Sequence, residues 1–197
     1  MIPIARLNHA VLFVRDLDRS ADFYRRVFGF EEIAREGGMM AFLRAAGSDN
    51  HHDLGLMAVG EDAPRPPRGS TGLYHLAWEV PTIDDLARAA EVLSSERALG
   101  GASDHGATKS LYGRDPDGNE FEIMWMVPRS EWGEYEKRAV VEPLDIAREL
   151  RRYGRVYSEV LLAHEGFAGK LEQDACVFNW HAGVVKSAWW KALQSNK

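Results

Sequence analysis

A single cysteine in 197 residues, Cys176, excludes an internal disulfide, so the fold must rest on apolar burial and hydrogen bonding. Equally missing is any apolar run approaching the roughly 20 residues that a membrane span needs. There is no cationic excess either: 24 Lys and Arg stand against 30 Asp and Glu, a net charge of −6 that leaves no general basic surface for nucleic acid or an anionic membrane. The uninterrupted apolar stretch of a signal peptide is absent from the start, where Arg6, Arg15 and Asp16 fall. With one thiol, a reducing, cytoplasmic setting is expected. What is present is 45% hydrophobic and 27% charged residues, the profile of a folded enzyme or binding protein, long enough for one domain with an appendage.

The chain repeats itself. Leu7-Asn8-His9-Ala10-Val11 resembles Leu73-Tyr74-His75-Leu76-Ala77, 66 positions on (9 to 75), and at the same offset Val14 meets Val80, Leu17 meets Ile83, Asp18 meets Asp84 and Ala21 meets Ala87. Each half reads as a strand, a turn whose Asp can cap a helix, and a helix, over residues 20–28 and 84–93. Gly29 ends the first helix, and strands follow near 31–35, 39–44 and 53–59, which makes the module βαβββ. Residues 61–71, with Pro64, Pro66 and Pro67, read as a linker between modules 1–60 and 72–128. In the second module, strands near 110–114 and 120–126 flank the turn Asp115-Pro116-Asp117-Gly118-Asn119.

Strand parity then points to a site. Alternate side chains face opposite sides of a sheet, and the positions opposite to His9, His75 and Glu122 are all apolar: Ala10, Leu12, Val14, Leu76, Trp78, Val80, Phe121, Ile123 and Trp125. That face should pack on helices, leaving His9, His75 and Glu122 on a curved interior. Two neutral imidazoles and one carboxylate with open positions form the facial triad of non-haem Fe(II) enzymes, and Mn(II) suits the same donors. Beyond Pro128, residues 129–137, 143–153 and 157–164 read as amphipathic helices, a helical extension over 129–164; the tail 165–197 shows no period.

These residues resemble the vicinal oxygen chelate superfamily, which includes glyoxalase I, fosfomycin-resistance proteins, bleomycin-binding proteins and extradiol ring-cleaving dioxygenases. The resemblance is carried by Leu7-Asn8-His9, by Asp16-Leu17-Asp18-Arg19-Ser20-Ala21-Asp22-Phe23-Tyr24, by Tyr74-His75-Leu76-Ala77, and by Tyr112 with Asp115 to Glu122. It implies an α+β fold over residues 1–128, with paired βαβββ modules forming a cup-shaped, partly open mixed β-barrel. It also places the shared metal ligands at His9, His75 and Glu122, and implies a homodimer. Glyoxalase I has a fourth ligand, a Glu, where this chain has Gly55, or Asp53 if the alignment slips by two; a lyase of that type ranks lower for that reason. The stretch from Gly101 to Tyr112 is similar to catechol 2,3-dioxygenase-type proteins, which implies catalytic roles for His105 and Tyr112, and His51-His52-Asp53 is similar to a run in the same relatives, where His52 and Asp53 bind substrate or support the site. The expected activity is a metal-dependent extradiol-type dioxygenase opening a catechol-like diol with O₂. The alternatives are a thiol transferase of the fosfomycin-resistance type, with Lys109, Ser110 and Arg114 for a phosphonate, a glyoxalase-like lyase, or a non-catalytic drug or metabolite binder.

Overall fold

The computed structural model describes residues 1–67 and 69–155; the helix expected at 157–164 and the tail 165–197 lie outside them. In chain order the elements are β1 (Ala10–Val14), α1 (Leu17–Phe28), β2 (Glu31–Glu36), β3 (Met40–Arg44), β4 (Leu54–Ala58), β5 (Leu76–Glu79), α2 (Ile83–Ser95), β6 (Leu99–Asp104), β7 (Thr108–Arg114), β8 (Glu120–Met126), β9 (Glu142–Pro143) and α3 (Ile146–Tyr153). The strands form two mixed sheets rather than one closed barrel: β1-β4-β3-β2 and β5-β8-β7-β6-β9. Both modules use the same order, with the first and fourth strands parallel, so the 66-residue repeat is a repeat of topology. Among the described residues no helix is long and apolar enough to cross a membrane.

The local chemistry explains the helices. α1 starts at Asp16, whose carboxylate accepts from Arg19 N at 3.0 Å, and stops at Gly29, which adopts the left-handed conformation (φ 68°) that other residues resist. α2 starts at Thr82, whose hydroxyl accepts from Asp85 N at 3.1 Å. Asp16 and Thr82 are repeat partners, so the second cap is a hydroxyl and the aspartate expected there, Asp84, lies one residue inside the helix. α1 buries Leu17, Ser20, Ala21, Phe23 and Tyr24, while α2 buries Ile83, Leu86, Ala90 and Leu93. Each large apolar side chain sequestered this way contributes about 1.5–3 kcal/mol.

The described residues fall into two compact units, Met1–Tyr74 with Arg114–Glu120, and His75–Gly113 with the described residues from Phe121. In the first unit, the turn between β7 and β8 is fastened to α1. Asp115 is buried and accepts from Tyr24 Oη (3.1 Å), Asn119 N (2.8 Å) and Asp117 N (2.9 Å), and Asp117 accepts from Arg15 N, Arg19 and Ser20 Oγ. Burial, and then the Asp115 carboxylate, push the Tyr24 hydroxyl well above its ordinary pKa, so it remains a donor.

Of the nine residues on the expected apolar face, Leu12, Val14, Phe121, Ile123 and Trp125 are buried and Ala10, Leu76, Trp78 and Val80 half-buried, whereas Val11, Phe13, Ala77 and Glu79 on the other face are exposed. Two expectations are corrected. The stretch expected as a helix over 129–137 forms two 3-10 turns, Arg129–Glu131 and Gly133–Glu136, because Gly133 sits at φ 52° and interrupts the α path. α3 begins at Ile146 rather than Pro143, since Pro143 is part of β9 and Asp145 is the cap. The strand that the βαβββ repeat requires after α2, to which the sequence assigned no bounds, is β6 over Leu99–Asp104. Its Gly100, Gly101 and Ser103 lack the branched side chains that mark strands.

Candidate functional site

In the second unit, sheet register assembles four of the expected residues. β5 and β8 run parallel with Ala77 opposite Glu122, so His75, two residues before Ala77, projects from the same face one step along. His75 Nε2 lies 2.9 Å from Glu122 Oε2, with side-chain exposures of 24% and 12%. β7 carries Tyr112, whose hydroxyl is 3.2 Å from Glu122 Oε1 and whose ring faces the His75 ring at 5.8 Å. The turn after β6 carries His105, whose Nε2 is 2.8 Å from the Tyr112 hydroxyl and whose Nδ1 is 2.8 Å from the Val140 carbonyl. The result is one polar chain, Val140 O to His105 to Tyr112 to Glu122 to His75.

The first unit gathers the remaining three. His9, just before β1, has Nδ1 2.8 Å from Asn8 Oδ1 and its ring 4.5 Å from that of His52. Burial, then the charges of His9 and His51, hold the His52 imidazole below its ordinary pKa, which keeps it neutral and able to accept a hydrogen bond or coordinate. Asp53 is turned the other way, into its own loop, accepting from Ser48 Oγ (2.7 Å), Asn50 Nδ2 (2.8 Å) and Ala45 N (2.9 Å). Asn50 in turn donates to the Asn8 carbonyl at 3.0 Å, so Asp53 supports the segment that bears His9. Asn8 and Asn50 were missed from the sequence, and the only signal was their place in short polar turns.

Burial alone would raise the Asp53 carboxyl, but the three hydrogen bonds outweigh it and the pKa lies below the ordinary 3.8. Its contribution to stability is therefore complete above pH 3.8 and is lost as the pH falls through the lower folded value. Asp53→Ala is expected to cost about 2–4 kcal/mol at pH 7. In urea titrations the gap to the parent should narrow as acid protonates Asp53; a gap of constant size down to pH 2 would contradict this account.

Residues 6–123 match the model of the Glyoxalase/Bleomycin resistance protein/Dioxygenase superfamily, more than half of the chain. The chain belongs to that superfamily. Among curated proteins it is 34% identical over 130 residues to the catechol-2,3-dioxygenase of Bacillus subtilis (strain 168), covering 64% of this chain and 43% of that one. It is 30% identical over 130 residues to the manganese-dependent 2,3-dihydroxybiphenyl 1,2-dioxygenase of Geobacillus genomosp. 3, covering 64% and 38%. The chain thus spans less than half the length of either relative. Among solved structures, a glyoxalase/dioxygenase from Nostoc punctiforme superposes with a TM-score of 0.56 at 22% identity, covering 65% of this chain and 97% of that one, which shows the shared fold.

Do the residues fit the divalent ion that this superfamily implies? Nitrogen and oxygen donors sit at about 2.0–2.2 Å from such an ion, so two donors at right angles about it are separated by about 3 Å. His75 Nε2 and Glu122 Oε2, at 2.9 Å, meet that spacing. Among the described residues no group of three or more His, Cys, Asp or Glu is gathered for a metal, and His9 lies in the first unit while His75 and Glu122 lie in the second. Gly55 resolves the alternative left open by the sequence: it faces Val11 in register as Glu122 faces Ala77, so Gly55 occupies the repeat position of Glu122 and Asp53 does not. That position supplies no donor. The residues considered for a phosphonate are already engaged or enclosed: Lys109 pairs with Asp104 at 2.5 Å, Arg114 pairs with Glu120 at 2.9 Å, and Ser110 is fully buried.

Proposed function

We propose that the chain is a metal-dependent extradiol-type dioxygenase that opens a catechol-like ring with O₂, with His9, His75 and Glu122 holding Fe(II) or, as in the Geobacillus relative, manganese. The observation that carries this reading is the continuous chain His105, Tyr112, Glu122, His75, with steps of 2.8, 3.2 and 2.9 Å. It puts a base and a phenol beside a carboxylate–imidazole pair, which a sequestering protein does not need.

The ion, when bound, supplies Lewis acidity that favours loss of the phenolic protons and brings diol and O₂ together. The protein's own groups do the rest. Tyr112 hydrogen-bonds a substrate oxygen and holds the ring in place. His105 Nε2 takes the phenolic proton and later returns one to the opened product, a task suited to imidazole because one ring nitrogen accepts a proton while the other stays bonded as a donor. His52, neutral and half-buried, lines the His9 side. The identity to two dioxygenases over 130 residues supports the same chemistry.

The test is oxygen uptake. Full chain loaded anaerobically with Fe(II) or Mn(II) is mixed with catechol and 2,3-dihydroxybiphenyl in air-saturated buffer. One O₂ should be consumed per diol, together with the visible absorbance of a ring-opened product. If no diol in a broad catechol panel is consumed with either ion, the reading is abandoned.

A further inference from the structure

The superfamily match ends at residue 123, yet the expected base is held from beyond it. β9 adds to the free edge of β6, with Pro143 beside Ser103 and Glu142 beside Asp104, immediately before His105. Upstream of β9, the Val140 carbonyl lies 2.8 Å from His105 Nδ1. A carbonyl only accepts, so the hydrogen is on Nδ1, and in the neutral ring the lone pair on Nε2 accepts the single hydrogen of the Tyr112 hydroxyl at 2.8 Å, for which it competes with Glu122 Oε1 at 3.2 Å.

The same turn is pinned from two more sides. Tyr135 covers Gly106, where φ is +77° and any Cβ would overlap the tyrosine ring. From α3, Arg148 bonds Asp104 Oδ2 at 3.0 Å and Glu149 Oε1 at 2.8 Å, while Lys109 Nζ bonds Asp104 Oδ1 at 2.5 Å. Asp104, Lys109 and Glu149 are buried, and residues 104 and 109 bracket the turn. Neutralising and aligning three buried charges in this way makes the backbone around His105 costly to move.

We infer that residues 135–149 form a brace that holds His105 as its Nδ1–H tautomer, with Nε2 left as the proton acceptor beside Tyr112. Arg148 is the positioning residue that ties the brace to the turn. The importance of Nε2 rests on the ring-cleavage reading, whereas the tautomer does not.

The measurement is two-bond ¹H–¹⁵N correlation on the full chain with ¹⁵N-labelled histidine, free of paramagnetic metal, the His105 signal being identified by its loss in His105→Gln. Neutral His105 should show the Nδ1–H pattern alone. Arg148→Ala and Tyr135→Ala each alter partly exposed side chains. Each should shift His105 toward the Nε2–H form that unconstrained imidazole prefers, and lower kcat by about 3- to 10-fold with KM within about 2-fold. Arg148→Lys should restore the parent pattern. A parent His105 in the Nε2–H form, or an Nδ1–H pattern unchanged in both alanine variants, overturns the brace. If the tautomer responds as expected in a chain that cleaves no catechol, the brace stands and the ring-cleavage reading falls.

Discussion

His105→Ala is expected to keep its metal and its affinity for a catechol while turnover falls by about 10² to 10⁴-fold. The imidazole is in the turn Asp104-His105-Gly106-Ala107, with main-chain bonds from His105 N to Thr108 O (2.9 Å) and from Ala107 N to His105 O (3.0 Å), so removal of the ring leaves the turn's own hydrogen bonds in place. Among the described residues its ring nitrogens meet Val140 O and Tyr112 Oη, and neither belongs to His75 or Glu122. The expected signature is a lower kcat with KM nearly unchanged, which marks a group acting in the transition state. Parent-like turnover in His105→Ala would remove this residue from the chemistry.

Glu122→Ala is expected to abolish turnover, by at least about 10³-fold, because one substitution breaks two links of the polar chain, to His75 Nε2 at 2.9 Å and to Tyr112 Oη at 3.2 Å. The backbone should tolerate the change. Glu122 lies on the face of β8 opposite to Phe121, Ile123 and Trp125, which are the residues buried in the core. A loss of about 1 kcal/mol in a chain of this size lowers Tm by about 2–4 °C, so a shift within about 5 °C is expected. Glu122→Gln provides the finer comparison: it preserves the shape and one accepting oxygen but removes the charge, and should also lose most activity. Retained turnover in Glu122→Gln would mean that the carboxylate is a hydrogen-bond acceptor for Tyr112 and not a ligand.

Much of this was legible in the residues because repetition and parity are local properties of sequence. The pairing of His9 with His75 at an offset of 66 is the pairing of two identical strand orders, and Ala77 opposite Glu122 is the register that brings His75 to the carboxylate. What escaped had physical reasons. β6 is written in glycine, alanine and serine, so its strand character comes from its neighbours β7 and β9 and not from its own side chains. The carbonyl of Val140 has no side-chain signature at all, since any residue there presents the same oxygen. Lys109 is solvated by preference and is buried here only because Asp104 and Glu149 meet it, a coincidence of segments 40 residues apart (109 to 149). The loop role of Asp53 was similarly hidden, because its three partners are Ser48, Asn50 and a main-chain amide.

The proposed site is one divalent ion held by His9, His75 and Glu122. Its most direct test is metal analysis of the full chain purified without oxygen, alongside His9→Ala, His75→Ala and Glu122→Ala. The parent should carry close to one iron or manganese per chain, and each folded variant well below that. Full metal retention in all three variants would contradict it.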